Sequence, residues 1–517
     1  MARALSDLTA GLASVPRGLV VSDVTLDSRA ATPGSLFLAC RGHKQHGLDF
    51  ARSAIALGAS AVLFEPADSR GEGGSEAAAS VIAQAAVQAA QAPHVFFGSV
   101  PRLSRHVGTI ADRFFGSPSQ SMAIAGITGT NGKTTCAYLL SQALTQCGKL
   151  TGYSGTIGYG LPSALTATSH TTSDAVTVHR QLAQLRQLGA ECVAMEVSSH
   201  ALDQGRVNAV RFHTAVFTNL TRDHLDYHGT MDKYGAAKAL LFAATGLVAR
   251  VINIDDEFGA QLAARPSTAR LVVTTRREPA TLAQFVRATR VRADSSGLVI
   301  SIESSWGVGE VAVPLIGDFN VENVLTVLGT LLDWGVPLAD AANALSKCRA
   351  PSGRLEVLGG RGSQPLAVVD YAHTPDALSK ALRAARLHCK GRLHVVFGCG
   401  GDRDPGKRPL MGTIAAELAD SIVVTDDNPR TEDPRRITSE IIAGVRSVVV
   451  VRATSVRVEH DRKRAIVSTL EGAASDDVVL VAGKGHEDYQ IYGTEHRPFS
   501  DQAVIREHFG EQACSAP

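Results

Sequence analysis

The segment Gly126-Ile-Thr-Gly-Thr-Asn-Gly-Lys-Thr-Thr135 holds the residue types needed to grip the phosphates of a nucleotide. Its glycines let successive backbone N–H groups turn toward phosphate oxygens, and a helix starting just after them adds positive partial charge. Gly129, Thr130, Asn131, Gly132, Lys133, Thr134 and Thr135 are therefore expected to line an ATP or GTP site. Lys133 can reach the terminal phosphates and Thr134 can place its hydroxyl on Mg²⁺. The general pattern has glycine six residues before the lysine, where this chain has Ile127, so the loop is a variant of that pattern. A tight turn that merely opens a helix explains Gly-Lys-Thr-Thr after an apolar stretch poorly.

Two more polar clusters follow apolar stretches: Met195-Glu-Val-Ser-Ser-His-Ala-Leu202, and Phe217 to Gly229, which contains Arg222-Asp-His-Leu-Asp226. A carboxylate at a strand end, Glu196, is the expected Mg²⁺ ligand beside nucleotide phosphates, with His224 as a second. Either residue alone is more simply a structural polar group. The phosphate loop before them tips the balance toward a metal–nucleotide site.

These side chains need elements that deliver them to one place. Met122 to Gly126 reads as a short buried strand and Lys133 to Thr145 as the helix after the loop. Further apolar runs at Cys192 to Met195, Ala215 to Phe217 and Arg250 to Ile254 alternate with helical segments at Val178 to Leu188 and Met231 to Ala244. In the first of these helices Val178, Leu182, Leu185 and Leu188 recur at helical spacing. Strands alternating with helices predict α/β architecture, with a mostly parallel sheet covered on both faces. A first block, to about residue 112, carries strand-like stretches at Gly18 to Val24, Ser35 to Leu38, Ala61 to Phe64 and His94 to Phe97, with a loop at Arg70 to Ser75. A last block repeats the strand–helix rhythm with strands at Leu366 to Val369, His394 to Phe397, Ile422 to Thr425 and Val478 to Val481. It reads as a doubly wound, Rossmann-like domain whose loops at the strand carboxyl ends form a site. The expected domains are 1–112, 113–350 and 351–517.

Composition agrees with this and narrows the function. The chain has 517 residues, 44% of them hydrophobic and 20% charged, enough apolar material for several cores. Fifty-one basic residues face 50 acidic ones. That balance disfavours nucleic acid or a membrane surface as partner, so an anionic ligand must be held by local groups. Eight cysteines without a C-x-x-C pair suit a reducing compartment. Asp7, Thr9 and Gly11 interrupt the start, and no apolar run reaches the length of a membrane span. A cytoplasmic location follows.

The motifs taken together resemble the Mur ligase family. The resemblance runs through all three blocks: Leu26-Asp-Ser-Arg29, the phosphate loop, His170-Thr-Thr172, Glu196 to His200, Gln204 with Arg206, and Thr221 to Asp226. It continues through Gly317 to Asn323, Ser352 to Glu356, Asp370 to Asp376, Gly398 to Arg408, Asp427-Asn-Pro-Arg430 and Gly483-Lys-Gly-His-Glu487. It implies three domains, with a central P-loop sheet domain and a Rossmann-like C-terminal domain. It also implies a ligase that uses ATP and Mg²⁺ to join meso-diaminopimelate to the D-glutamyl γ-carboxylate of UDP-N-acetylmuramoyl-L-alanyl-D-glutamate in peptidoglycan precursor synthesis. An acyl phosphate is the implied intermediate, and a monomer the expected form.

Position by position, the resemblance assigns Leu26, Ser28, His43, Lys44 and Gln45 to the UDP-sugar, although the His43 to Gln45 stretch departs from the family's pattern after its histidine. It assigns His170, Thr171, Thr172, Ser198, Gln204 and Arg206 to the muramoyl dipeptide. Asn320 and Asn323 match adenine-side contacts, and Arg354 a phosphate contact. Lys238 matches a lysine that the family carries as a carbamate, an anionic oxygen ligand for Mg²⁺. Arg403, Asp427, Asn428, Pro429, Arg430, Gly483 and Glu487 match a diaminopimelate pocket. Arg430 suits a carboxylate bidentately and Glu487 an ammonium, whereas a basic cluster of Arg403, Lys407 and Arg408 could also be a solvated loop. The rivals are another Mur-type ligase, a folylpolyglutamate synthetase-like enzyme, a P-loop ATPase without ligase chemistry, and a catalytically dead relative. The Leu26 to Arg29 stretch and the Asp427 to Arg430 motif disfavour the synthetase. Glu196, His224 and Lys238 disfavour the plain ATPase.

Overall fold

The phosphate-loop strand, Ala123–Thr128, is apolar on both faces because it runs through the middle of a covered sheet. Ile124, Ala125 and Ile127 are all buried. It pairs in parallel with Cys192–Glu196 on one side and Thr214–Phe217 on the other. The two polar clusters therefore leave the sheet at the same edge as the loop. Beyond these come Thr151–Gly155 on one flank, and Ala249–Asn253 and Arg270–Thr275 on the other, all in parallel. A computed structural model describes residues 2–42, 45–66, 74–168, 170–278, 284–294 and 296–511.

Both ends of this sheet depart from the expected βα rhythm. Gly158–Leu161 and Ala164–Thr166 extend one end as antiparallel strands. At the other end Gln284–Asp294, Gly297–Ser304 and Gly307–Val313 form an antiparallel meander. In the strand Gly297–Ser304, buried and half-buried residues alternate, so one face packs on the core and the other meets solvent. The sheet has a parallel centre and antiparallel wings.

The other two sheets are smaller. Asp23–Thr25, Ser35–Ala39, Ala61–Phe64 and Phe96–Ser99 make a parallel sheet before the phosphate loop. The last is two residues beyond the expected His94 to Phe97, and the expected Gly18 to Val24 strand is split. Val20–Val21 pairs with Arg3–Ala4, while Asp23–Thr25 joins the sheet. The expected loop at Arg70 to Ser75 lies outside the described residues up to 73, and Gly74 opens a helix, Gly74–Gln91. The C-terminal sheet runs Glu356–Gly359, Leu366–Asp370, Val478–Ala482, Leu393–Phe397, Ser421–Val424, Ser455–Val458, parallel except at its first edge. The expected helix Met231 to Ala244 is α-helical only over Met231–Ala239 and tightens to a 3₁₀ turn at Leu240–Ala243.

Side-chain contacts tie the sheets' surroundings together. Arg180, on the helix Ala175–Gln187, donates to the Val24 carbonyl at 3.0 Å and pairs with Asp23 at 3.0 Å. His388 bonds both the Gly317 N–H at 3.2 Å and the Asp294 carbonyl at 2.6 Å.

Candidate active site

The phosphate loop is shaped by backbone that only glycine tolerates. Gly129 and Gly132 have φ of 152° and 85°. A Cβ on Gly129 would stand 1.9 Å from the Thr218 hydroxyl, and one on Gly132 2.2 Å from the Asn323 side-chain oxygen. The residues after Thr214–Phe217 brace the loop. The Thr130 N–H donates to the Asn219 carbonyl at 2.8 Å, the Asn131 N–H to the Asn219 side chain at 2.9 Å, and the Thr218 hydroxyl to the Asn131 carbonyl at 2.6 Å. Lys133 opens the helix Lys133–Gln146, and its Nζ donates to the Gly129 and Thr130 carbonyls at 3.0 and 2.9 Å. Thr135 lies in the first turn of the same helix.

Glu196 ends its strand fully buried. Its carboxylate accepts from Thr134 Oγ1 at 2.9 Å, Tyr153 Oη at 2.5 Å, the Thr156 N–H at 2.8 Å and Thr156 Oγ1 at 3.2 Å. All four donors are neutral. A buried carboxylate without a bonded cation is costly, and a carboxylate beside a threonine hydroxyl is an oxygen donor set suited to Mg²⁺. The residues present fit that ion.

His224 is placed differently. Its backbone is left-handed (φ 52°), and Nε2 lies 3.5 Å from Asp223. Its ring packs edge-on to His200 at 4.8 Å between centroids. Tyr234 links this histidine to the rest of the site. Its ring lies 6.1 Å from that of His224, its hydroxyl is 3.2 Å from Thr130 Oγ1, and Lys238 Nζ sits 4.4 Å from its ring centroid. Lys238 is buried and donates to the Gly129 carbonyl at 2.6 Å, the same oxygen that Lys133 approaches. Burial, reinforced by the nearby Lys133 charge, pushes the Lys238 ammonium down to about 6. Burial also lowers Lys133, although Glu196 and Asp223 oppose the shift.

Asn320 and Asn323 start the helix Asn320–Asp333 and are buried, with the Asn323 side-chain oxygen facing Gly132 of the loop. Asn323 donates to Asn320 at 2.8 Å, and Asn320 to the Ile316 carbonyl at 2.7 Å. Arg354 is exposed, 5.6 Å from the Tyr371 ring centroid, and its charge reaches Lys133.

The expected dipeptide residues form a second, connected group. Thr171 Oγ1 lies 3.0 Å from Thr156 Oγ1, Thr172 donates to the Glu196 carbonyl at 2.9 Å, and the Ser198 N–H donates to Thr172 at 3.1 Å. Arg206 donates to the Thr172 carbonyl at 3.0 Å and to Gln204 at 2.6 Å. His170 is exposed nearby in the chain. Leu26, Ser28 and Gln45 line a cleft of about 1000 Å³ together with Asp174, Thr177 and Arg180. His43 and Lys44 lie outside the described residues.

The C-terminal pocket is built from the ends of Ser421–Val424 and Val478–Ala482. Asp427 and Asn428 are buried. Asn428 Nδ2 donates to Glu487 Oε2 at 2.9 Å. Arg430, left-handed at φ 53° after Pro429, is half-buried and donates Nη1 to the Gly401 carbonyl at 2.8 Å. Gly483 has φ 119°, and a Cβ there would meet Asp427 at 2.5 Å. Burial pushes the Asp427 carboxyl up, against the pull of Arg462 and Lys484. The basic cluster is divided by the fold. Arg403 is exposed, Lys407 donates to the His373 carbonyl at 2.8 Å, and Arg408 is fully buried between Glu432 and Glu440 at 2.9 and 2.7 Å. Arg408 is a structural ion pair.

Sequence reasoning missed Tyr153, Thr156, Asn219, Tyr234, Arg462 and Lys484. Tyrosine and threonine outside a motif carry no signal of their own. Lys484 lies inside a quoted motif, and a lysine between two glycines was the available hint.

Three family models match: "Mur ligase family, catalytic domain" over residues 20–114, "Mur ligase middle domain" over 127–331, and "Mur ligase, glutamate ligase domain" over 353–485. The chain is 47% identical over 505 residues to the UDP-N-acetylmuramoyl-L-alanyl-D-glutamate–2,6-diaminopimelate ligase of Xanthomonas campestris pv. campestris (strain 8004), covering 97% of this chain and 96% of that one. It is 46% identical over 486 residues to the enzyme of the same name from Pseudomonas aeruginosa PAO1, covering 94% of each. A solved structure of a ligase of that name matches with a TM-score of 0.71, 30% identity and 99% coverage of both chains. Mycobacterium tuberculosis folylpolyglutamate synthase with ADP matches 74% of this chain and 92% of its own at a TM-score of 0.56 and 19% identity, a likeness of fold.

Proposed function

The chain belongs to the Mur ligase family, and on that footing we propose that it joins meso-diaminopimelate to the D-glutamyl γ-carboxylate of UDP-N-acetylmuramoyl-L-alanyl-D-glutamate at the expense of ATP. The observation that carries this reading is the C-terminal pocket, where Arg430 and Glu487 supply a cation and a carboxylate beside Asn428. An amino acid with a charged far end needs both signs. The names of relatives at 46–47% identity over nearly the full chain support the same substrates.

In the first half-reaction the γ-carboxylate attacks the terminal phosphorus of ATP, forming the acyl phosphate and releasing ADP. In the second, the amine nitrogen bonds to the acyl carbon, phosphate leaves with the bonding electron pair, and the amine gives up a proton. The protein's task is to bring anions together and hold them in line. Gly132 to Thr135 offer backbone donors to the phosphates at the helix start, the Thr130 and Asn131 N–H groups being engaged by Asn219, and Lys133, folded onto its own loop, can extend to the transferred group. Arg354 adds positive charge from the third block. Asn320 and Asn323 border the nucleotide. Mg²⁺, held by Thr134, Glu196, His224 and a carbamylated Lys238, would neutralise charge that accumulates between carboxylate and triphosphate.

The Lys238 environment favours that modification. An amine held near pH 6 is mostly neutral at pH 7, and a neutral amine adds to CO₂ to give an anionic carbamate and a proton. Thr171, Thr172, Ser198, Gln204 and Arg206 would hold the dipeptide, with His170 beside them. Leu26, Ser28 and the His43 to Gln45 segment would hold the UDP-sugar in the cleft next to Arg180. We assign residues 1–112, 113–350 and 351–517 to UDP-sugar binding, ATP-dependent ligation and amino-acid binding. A cytoplasmic monomer fits a nucleotide-linked substrate, and the described cysteines are all free. Among the described residues no helix is long and apolar enough to cross a membrane.

The test supplies purified protein with ATP, Mg²⁺ and the UDP-dipeptide, and offers diaminopimelate or lysine in parallel. Phosphate release should require the UDP-dipeptide and diaminopimelate together. Equal turnover with lysine would overturn the substrate assignment.

A further inference from the structure

Lys484 is fully buried, yet it stands in the middle of the polar groups that line the amino-acid pocket. Its inward course is imposed by its neighbours. Gly483 and Gly485 both adopt positive φ, 119° and 55°, and a Cβ on Gly485 would strike Tyr371 at 2.6 Å. The backbone thus turns sharply on either side of the lysine, at positions where only glycine fits. Nζ donates to Asn428 Oδ1 at 3.3 Å and to Glu487 Oε2 at 3.1 Å, and lies 5.5 Å from the Tyr489 ring centroid.

These bonds decide which way two pocket side chains face. Asn428 Oδ1 accepts from Lys484 and from the Ile491 N–H at 3.0 Å, so its NH₂ is forced toward Glu487. A flipped amide would set that NH₂ against an ammonium and an N–H. Glu487 Oε2 is taken by Lys484 and Asn428, which leaves Oε1 and the second amide hydrogen of Asn428 for a ligand.

The charges add a second reason. Those acting most strongly on Asp427 are Arg462, Lys484, Glu487 and Asp501. Arg462 is already committed to Asp501, at 2.7 and 2.8 Å. That leaves one ammonium, Lys484, between two carboxylates, Asp427 and Glu487.

We propose that Lys484 is a positioning residue for the incoming amino acid: its buried ammonium orients Asn428 and Glu487 so that they present one amide hydrogen and one carboxylate oxygen to the substrate's zwitterionic end. This rests on the reading of that pocket as the diaminopimelate site. Lys484 does not touch the substrate itself, because it has no exposed surface.

Steady-state kinetics of Lys484→Met and Lys484→Gln, with all three substrates varied in turn, test it. Lys484→Met should raise the diaminopimelate KM roughly tenfold or more, the scale of a lost charge-assisted hydrogen bond. The KM values for ATP and the UDP-dipeptide should stay within about twofold, and kcat at saturating diaminopimelate should stay near the parent's, since the phosphate-loop contacts are untouched. Lys484→Gln keeps a donor for Asn428 and should recover part of the affinity. It carries the test if circular dichroism shows the methionine variant unfolded. An unchanged diaminopimelate KM, or an equal loss for all three substrates in a folded variant, overturns the inference. The parent enzyme separates the two levels. If the parent releases no phosphate in response to diaminopimelate, the functional reading and this inference both fall. If it does, and the variants keep its KM, only the role of Lys484 falls.

Discussion

Around the phosphate loop, shape comes from backbone and neutral donors. Gly129 and Gly132 sit at φ values only glycine tolerates, Thr218 and Asn219 pin the loop, and hydroxyls with one N–H surround Glu196. At Asp427 to Arg430 shape comes instead from buried charges: Arg462 locked to Asp501, Lys484 shared between Asn428 and Glu487, and nearby Arg408 between Glu432 and Glu440. The difference matches the ligands proposed for the two regions. A triphosphate brings several charges and needs cations left free to meet it, so the scaffold beneath them stays neutral. A zwitterion brings both signs and needs fixed partners of both, and those must be balanced among themselves before it arrives. Damage to the first region should therefore remove chemistry and spare the fold. Damage to the second should change affinity or stability.

The largest effect is expected beneath the pocket. Asp501→Ala leaves the Arg462 guanidinium fully buried without its partner, and breaking a buried pair in this way costs about 3–5 kcal/mol. Chemical denaturation should show that loss. An unchanged midpoint would mean that buried charge does not hold the C-terminal pocket together, and the contrast would fail on that side.

Lys133→Ala should do the reverse. Its Nζ contacts only loop carbonyls among the described residues, so the melting temperature should hold. Turnover should fall by roughly 3 kcal/mol of transition-state stabilisation, about 150-fold, by comparison with lost oxyanion donors. Near-normal turnover would remove the loop from the chemistry.

Lys238 sharpens the comparison because function and stability should move in opposite directions. Lys238→Met should lose most activity, to about one hundredth of the parent's on the same scale. The pKa of the folded lysine lies below its ordinary value, so the unfolded chain takes up its proton first as pH falls. The parent without CO₂ therefore loses stability as pH drops from about 10 toward about 6. The methionine variant escapes that penalty. Its melting temperature should exceed the parent's in CO₂-free buffer, by a margin that widens across this range as pH falls. A constant margin would contradict the burial-driven shift.

Arg430→Ala is the mildest of the four. The side chain is only half-buried and already donates to Gly401, which places its loss at the low end for such pairs. Diaminopimelate use should weaken by about 2 kcal/mol, roughly 30-fold, with little change in the KM of the UDP-dipeptide. If lysine and diaminopimelate kept their original ratio in this variant, Arg430 would not be the group that tells them apart.

Legibility tracked how local each feature is. The phosphate-loop strand, loop and helix were readable because glycine spacing and an apolar run specify them within one continuous stretch of chain. The central parallel strands were readable for the same reason, since burial on both faces leaves continuous apolar runs. The antiparallel wings were not read, because one solvated face dilutes their hydrophobic signal. The tightening of the helix at Leu240 was missed because its composition continues that of the helix before it.

By itself the sequence determined the residue types of the site, the order of its motifs and the α/β rhythm that brings Glu196 and the phosphate loop to one sheet edge. The phosphate-loop pattern marked Lys133 as a candidate, and the family resemblance marked Lys238 and the Asp427 to Arg430 segment. Only the tertiary structure decided that Lys133 and Lys238 converge on one carbonyl oxygen, that Arg408 serves the fold while Arg403 meets solvent, and that Lys484 faces inward to Asn428 and Glu487. Burial and pairing arise from strands far apart in the chain. The pKa of a lysine and the direction of an amide depend on those distant neighbours, so no local pattern can encode them.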